Sequence, residues 1–280
     1  MPGILLRIPY IQNKVSEVAT TQLSGHLGVP VKIGNVDIEW FNRLVLEGLY
    51  LEDQDGKVMF EANHVAAGFE IMPLLEGKFV FTTVRLFGFS FNLRKHTPQS
   101  PLNLQFVIDA FASKDSIKKE KNIDLRFNSI MIRRGNFSYN VDSEKETPGK
   151  FNAKHIDIKN LSAKISLKAF NKDSVNAHIK KMSFDEASGF SLNKLSLNVV
   201  GNRDSAFVQD FEVRLPQTDL KIGRARIDLS EIDSLPALLN NAPIDLNITP
   251  SQICLKDLSP FVPAFKNLSL IHISEPTRHA

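Results

Sequence analysis

Apolar residues recur at every second position through most of residues 31–248. Val36, Ile38 and Trp40 form one such set, and Leu44 with Leu46, then Leu49 with Leu51, form others. Phe79 and Phe81 follow, then Leu86, and then Phe89, Phe91 and Leu93. A period of two predicts extended strands with one apolar and one polar face. The best helical pattern comes before them, over residues 9–26, where Ile11, Val15, Val18, Ala19, Leu23 and Leu27 fall three or four apart. Gly25, Gly28 and Pro30 are suitable stop residues for that helix.

Further strands are predicted at 123–127, 130–132 and 137–141, then at 155–158 and 161–167. Others follow at 175–184, 190–199, 207–215, 220–229 and 244–248. Gly48 and Gly88 sit inside strands and predict bulges or bends that curve the sheet. Residues 102–112 predict a second helix, with short helical turns at 72–75 and 232–239. Residues 42–43, 53–56 and 76–77 read as turns.

Together these elements predict a mostly β protein. Its core is a long curved antiparallel sheet, trough-like with an apolar inner face, plus an N-terminal amphipathic helix and a few short helices. Alternation does not say what covers the apolar face. A second sheet or a helix would make an ordinary sandwich, and an open face would be free to bind lipid.

Composition agrees with a folded chain. Of 280 residues, 42% are hydrophobic, and Phe at 20 dominates over one Trp and three Tyr. The net charge is +3, with Lys and Arg scattered among Asp and Glu. No basic block grips a phosphate backbone, so nucleic acid is not an expected partner.

Catalytic signatures are missing. The sequence contains no G-x-S-x-G elbow, P-loop or dinucleotide fingerprint, so no enzyme activity, catalytic residue or cofactor is expected. His26, His64, His96, His155 and His178 lack metal-binding spacing. Cys254, the single cysteine, reads as a small core hydrophobe. Glu52, Asp53 and Asp55 lie in the run EDQDG, which reads as a solvated turn because it lacks the spaced calcium-loop pattern. No metal is expected.

The ordered segments LGVPVKIGNVDIEW, LVLEGLYLEDQDG and AAGFEIMPLLEGKFVFTTVRLFGFSFNL carry a family resemblance. They resemble the N-terminal region of AsmA-like proteins, in particular the TamB (translocation and assembly module subunit) branch. The matching positions are Val31 and Ile33, then residues 46–53, 73–78 and 84–88, with DLSPFVP at 257–263 similar to segments that recur in the family.

The resemblance implies an inner-membrane anchor, a body in the periplasm of a Gram-negative envelope, and a role in outer-membrane biogenesis. That role is either movement of phospholipid between membranes or help with insertion of barrel proteins. On this reading, residues 1–30 hold the end of an anchor plus the amphipathic helix. Residues 31–113 form a first β segment with a terminal helix, 114–122 a linker, and 123–267 a second β segment of the same sheet.

Residues 268–280, LSLIHISEPTRHA, begin with eleven that look like a translated sequencing adapter, and are set aside as a read-through tail. The full anchor helix, and the C-terminal domain that contacts an outer-membrane barrel partner in the TamB branch, are absent from the sequence.

The expected ligand is phospholipid, with acyl chains lying on Val36, Ile38, Leu44, Leu46, Phe79, Phe81, Leu86, Phe89 and Phe91. Two alternatives stand beside it: a scaffold whose open sheet edge pairs with nascent barrel strands, and a closed β-sandwich adhesin or structural domain.

Overall fold

The computed structural model describes residues 9–39, 42–70, 72, 79–111, 123–170, 174–202, 204–228, 244–249, 251–268 and 270–273. Helix α1 (Pro9–Leu27) precedes β1 (Val31–Lys32), β2 (Asn35–Glu39), β3 (Arg43–Glu52), β4 (Val58–Phe69) and β5 (Phe79–Lys95). Helix α2 (Gln105–Phe111) leads to β6 (Ile123–Val141), β7 (His155–Phe170), β8 (Ser174–Glu186), β9 (Ser191–Asn202), β10 (Ser205–Arg214) and β11 (Asp219–Asp228). Then come β12 (Ile244–Ile248), β13 (Ser251–Cys254), 3-10 turns at Leu255–Leu258 and Pro263–Asn267, and β14 (Leu270–Ile273).

The protein is mostly β, with one long, mostly antiparallel open sheet, an N-terminal helix and few short helices. The described strands are hydrogen-bonded in the order β1-β3-β4-β5-β6-β7-β8-β9-β10-β11-β13-β14, with β2 on β3 and β12 on β11. Contacts divide the chain into a first unit, residues 1–147 with 152–161, and a second, 148–151 with 162–280. The division does not fall at the expected linker 114–122, which lies outside the described residues. Strand β6 belongs to the first unit because it pairs along its length with β5, from Phe79↔Ile123 to Lys95↔Val141.

That pairing is parallel, an exception within the mostly antiparallel sheet. Residues 96–122, with α2 among them, supply the long crossover that parallel neighbours require. Helix α2 also begins later than the predicted 102. Asn103 donates its N–H to the Arg94 carbonyl (2.9 Å) and accepts the Arg94 N–H on its side chain (2.9 Å). This clamp holds the chain against β5 until Gln105. The turns predicted at 76–77 and 232–239, and most of 72–75, lie outside the described residues.

Several segments predicted as separate strands are continuous. Residues 123–141 form one strand, as do 155–170. Each changes direction at a left-handed residue without ending there, at Arg134 (φ 52°) and Asn160 (φ 56°) respectively. A single residue in this conformation re-aims the strand, and at Arg134 the pairing with β5 continues in register on both sides, Phe87↔Arg133 and Phe89↔Gly135.

In the first unit, α1 lays Ala19, Leu23 and Leu27 against the buried cluster of Val31, Ile33 and Val36. Leu44, Leu46, Leu49 and Leu51 pack against the same cluster. In the second unit, Phe151, Phe190 and Phe261 stack at one end, with ring centroids 4.8 Å and 5.0 Å apart, and the Phe151 N–H donates to the Pro260 carbonyl. No helix among the described residues is long and apolar enough to cross a membrane.

Candidate functional site

Cross-strand partners share a face, so register shows which apolar residues form a continuous surface. In the first unit one row runs Ile38–Leu44–Ala67–Val84–Ile130, and the next runs Val36–Leu46–Val65–Leu86–Ile132. A third runs Leu49–Ala62–Phe89–Gly135, and a fourth Val31–Leu51–Phe60–Phe91–Phe137.

Between the second and third rows the alternation skips one position on every strand. Leu46 is followed by Leu49, Ala62 by Val65, Leu86 by Phe89, and Ile132 by Gly135. The skip falls on Gly48 (φ 62°), Gly88 (φ 59°) and Arg134 (φ 52°), with Asn63 opposite the first two. Left-handed residues lined up across neighbouring strands make a crease perpendicular to them. The phase jump keeps the apolar face apolar on both sides of it.

The two faces beside the crease differ in exposure. On the apolar face the third row is crowded: Ala62 is 4% exposed, Phe89 is 5% exposed, and a Cβ on Gly135 would collide with the Phe89 ring. On the polar face Glu47, Asn63, Arg133 and Arg134 are all exposed. Val65, Leu86 and Ile132, on the other side of the crease, and Phe60, Phe91 and Phe137, one row further along, are half-buried, with none sealed as Met59 is at 0% exposure.

The second unit also carries apolar rows, with a skip on three of its four strands and none on β9. Its rows include Ala177–Val199–Val208–Ala225 and Met182–Leu195–Val213–Leu220. The skip recurs between Ile179 and Met182, between Val208 and Phe211 at Asp210 (φ 53°), and between Ile222 and Ala225 at Gly223. Of the eight row residues only Ala225 is fully buried. On the opposite face Lys180, Lys181, Arg224 and Arg226 are exposed. Glu212 also lies there, and hydrogen bonding from Lys194 outweighs burial to hold its carboxyl below the ordinary pKa.

Seven of the nine candidate lining residues therefore share one face: Val36, Ile38, Leu44, Leu46, Leu86, Phe89 and Phe91. Their surroundings differ. Val36 is buried, and Leu44 and Leu46 pack with it in the cluster on which α1 lies. Phe89 forms the floor of the crease, stacked 6.2 Å from Phe60. Ile38, Leu86 and Phe91 are half-buried. Phe79 and Phe81 occupy β5 positions opposite Ile123 and Leu125, and their side chains lie outside the described set. Sequence reading missed Val65, Val84, Ile130 and Ile132 as members of this face. The available signal was the apolar i, i+3 step around a glycine, asparagine, arginine or aspartate.

A polar knot closes the other end of β3 and β5. The Asp53 carboxylate accepts N–H groups from Asp55 (3.0 Å) and Lys57 (2.9 Å), the Asn103 amide (3.0 Å) and the Arg94 guanidinium (3.2 Å). Arg94 also pairs with Asp55 and reaches Asp142 at 3.5 Å, while His96 bridges the same two carboxylates at 3.2 and 3.3 Å. Burial raises the Asp53 pKa. The Asn103 hydrogen bond, the two backbone N–H groups and Arg94 outweigh it, so the group lies below the ordinary carboxylate value.

The solvated-turn reading of EDQDG holds for Gln54, Asp55 and Gly56, which are exposed, but not for Asp53, which is 2% exposed. A cavity of about 120 Å³ beside the knot is lined by Asp53, Asp55, Arg94, His96 and Asn103, among others. With Arg94 at the centre of the carboxylates, the charges are already paired within the protein. Among the described residues no group of three or more His, Cys, Asp or Glu side chains is placed to hold a metal ion.

Comparison with models of known protein families and with curated proteins yields no match.

Proposed function

We propose that this chain is an AsmA/TamB-like protein of the Gram-negative envelope, anchored in the inner membrane with its body in the periplasm. In this reading it shields phospholipid acyl chains on the apolar face of its creased sheet during transport between membranes. The observation that carries the reading is the apolar face itself. It persists across the crease in the first unit and across the skips in the second, on rows four or five strands wide, with large side chains left half-buried.

A hydrocarbon chain in water costs about 0.8 kcal/mol per CH₂, so a 16-carbon tail costs on the order of 12 kcal/mol. Half-buried Leu, Ile, Val and Phe side chains remove that cost without any directed contact. The headgroup stays on the wet side. Such a surface needs no single indispensable residue, in keeping with a sequence that lacks a catalytic motif.

A charge on the apolar face carries a large penalty for a bound tail. Leu86→Asp is therefore expected to lower the phospholipid that co-purifies with the protein about tenfold, as read by mass spectrometry. Phe87→Asp, one residue along and facing the other way, is expected to leave it unchanged. Phospholipid absent from the parent protein, or retained by Leu86→Asp, contradicts the reading. The scaffold alternative predicts the second of these, because an exposed strand edge works through backbone pairing.

A further inference from the structure

The polar face of the first unit carries one large aromatic ring. Phe87, between Leu86 and the left-handed Gly88, points to that face and is 38% exposed. Arg133 is its partner on β6, and Arg85 stands two residues before it on β5, so both share its face. The Arg134 guanidinium lies over the Phe87 ring, 5.4 Å from its centroid. Arg85, Arg133 and Arg134 are all exposed. Three guanidiniums thus gather round one exposed ring.

Register also places the carboxylates of this face. The row through Phe87 runs Glu47–His64–Phe87–Arg133, and the next runs Asp37–Val45–Ala66–Arg85–Met131. In each row carboxylate and arginine stand three strand spacings apart, roughly 14 Å at about 4.8 Å per spacing. Salt at physiological strength screens exposed charges beyond about 8 Å, so Glu47 and Asp37 leave the arginine cluster electropositive.

The residue types select the partner. All three cations are arginines, whose planar fork holds a carboxylate through two parallel hydrogen bonds where lysine offers a single point charge. Arginine and aromatic residues also concentrate at the energetic centres of protein interfaces. A bilayer instead takes up side chains that project into it. Here Arg134 lies across Phe87, and the pair presents a flat platform.

We propose that Arg85, Phe87, Arg133 and Arg134 form a docking surface for an acidic segment of a partner protein. Its carboxylates sit in the arginine forks, and an aromatic side chain of the segment rests against the Phe87 platform. The surface lies on the face opposite the apolar rows, so the proposal stands apart from the lipid reading.

The test uses the full chain and a fluorescein-labelled peptide of four glutamate–tyrosine pairs, read by fluorescence anisotropy. The parent is expected to bind it at least tenfold more tightly than the same peptide with glutamine for glutamate. Arg133→Gln is expected to weaken binding about tenfold, and Arg133→Lys, which keeps the charge and loses the fork, to recover only part of that. In the parent, the peptide is expected to protect Arg85, Arg133 and Arg134 from phenylglyoxal, read by mass spectrometry, and to leave the exposed Arg214 reactive. This arm needs no substitution and stands if the variants fail to fold. Equal binding of the two peptides, parent-like binding by Arg133→Gln, or modification of the three arginines unchanged by the peptide overturns the proposal.

Discussion

Replacing Asp53 by alanine is expected to destabilise the first unit by about 3 kcal/mol, read as a lower denaturant midpoint. The carboxylate is 2% exposed and accepts four hydrogen bonds. Its removal strands the Asp55 and Lys57 N–H groups and the Asn103 amide, each costing about 1–3 kcal/mol where water cannot enter. Arg94, whose side chain is 12% exposed, keeps Asp55 and Asp142, so the full cost of an orphaned buried charge is not reached.

Asp53→Asn, which retains an acceptor for the two backbone N–H groups, is expected to cost less than half as much. The pH dependence follows from the same contacts. A carboxylate whose folded pKa lies below the unfolded value contributes stability that is fully present above the unfolded pKa. That stability is lost as pH falls through the folded pKa. The electrostatic part of the Asp53 contribution should therefore start to decline near the unfolded value of about pH 4 and go on falling below it, so the gap between the alanine variant and the parent narrows as pH falls through that range.

Gly88→Val is expected to cost about 2–3 kcal/mol, and its effect reaches beyond stability. The residue has φ 59°, a conformation that a β-branched side chain rarely adopts. An added Cβ also comes within 2.6 Å of the Asn63 side chain across the crease. The left-handed turn of the backbone must flatten or shift, and either change moves Phe89, Phe91 and Leu93 relative to Leu86 by one position of the alternation. Phe89, now the floor of the bend, would turn toward the polar side. Gly25→Ala is the matched control, because Gly25 is helical and an added Cβ meets nothing within 4 Å. That change is expected to stabilise by about 0.5–1 kcal/mol in the same denaturation experiment.

The β class was legible because alternation at period two runs through strand after strand, and few other structures satisfy it. The bends at Gly48 and Gly88 were legible because glycine tolerates the left-handed region. Those at Arg134, Asn160 and Asp210 were harder to read, since the residue type alone does not mark them as glycine does, and only the apolar i, i+3 step around Arg134 and Asp210 signalled them. Strand direction was not legible either. The Phe81, Leu86 and Phe89 pattern is the same whether β6 runs with β5 or against it, and only the crossover after Lys95 decides. Asp53 looked solvated because the partners that bury it, Arg94 and Asn103, are 41 and 50 positions away. For the candidate site, membership of a common face could be read from the sequence. The cover over Val36, Leu44 and Leu46 could not, because a helix stripe carries no address for the strands it meets.

The most direct test of the proposed lipid face compares neighbours of opposite sidedness in a Gram-negative cell that expresses the chain. Photo-reactive residues placed at Leu86 and Ile132 are expected to capture phospholipid, and the same residues at Phe87 and Arg133, one position along each strand, to capture none. Equal labelling of both faces, or none at Leu86 and Ile132, would contradict the account.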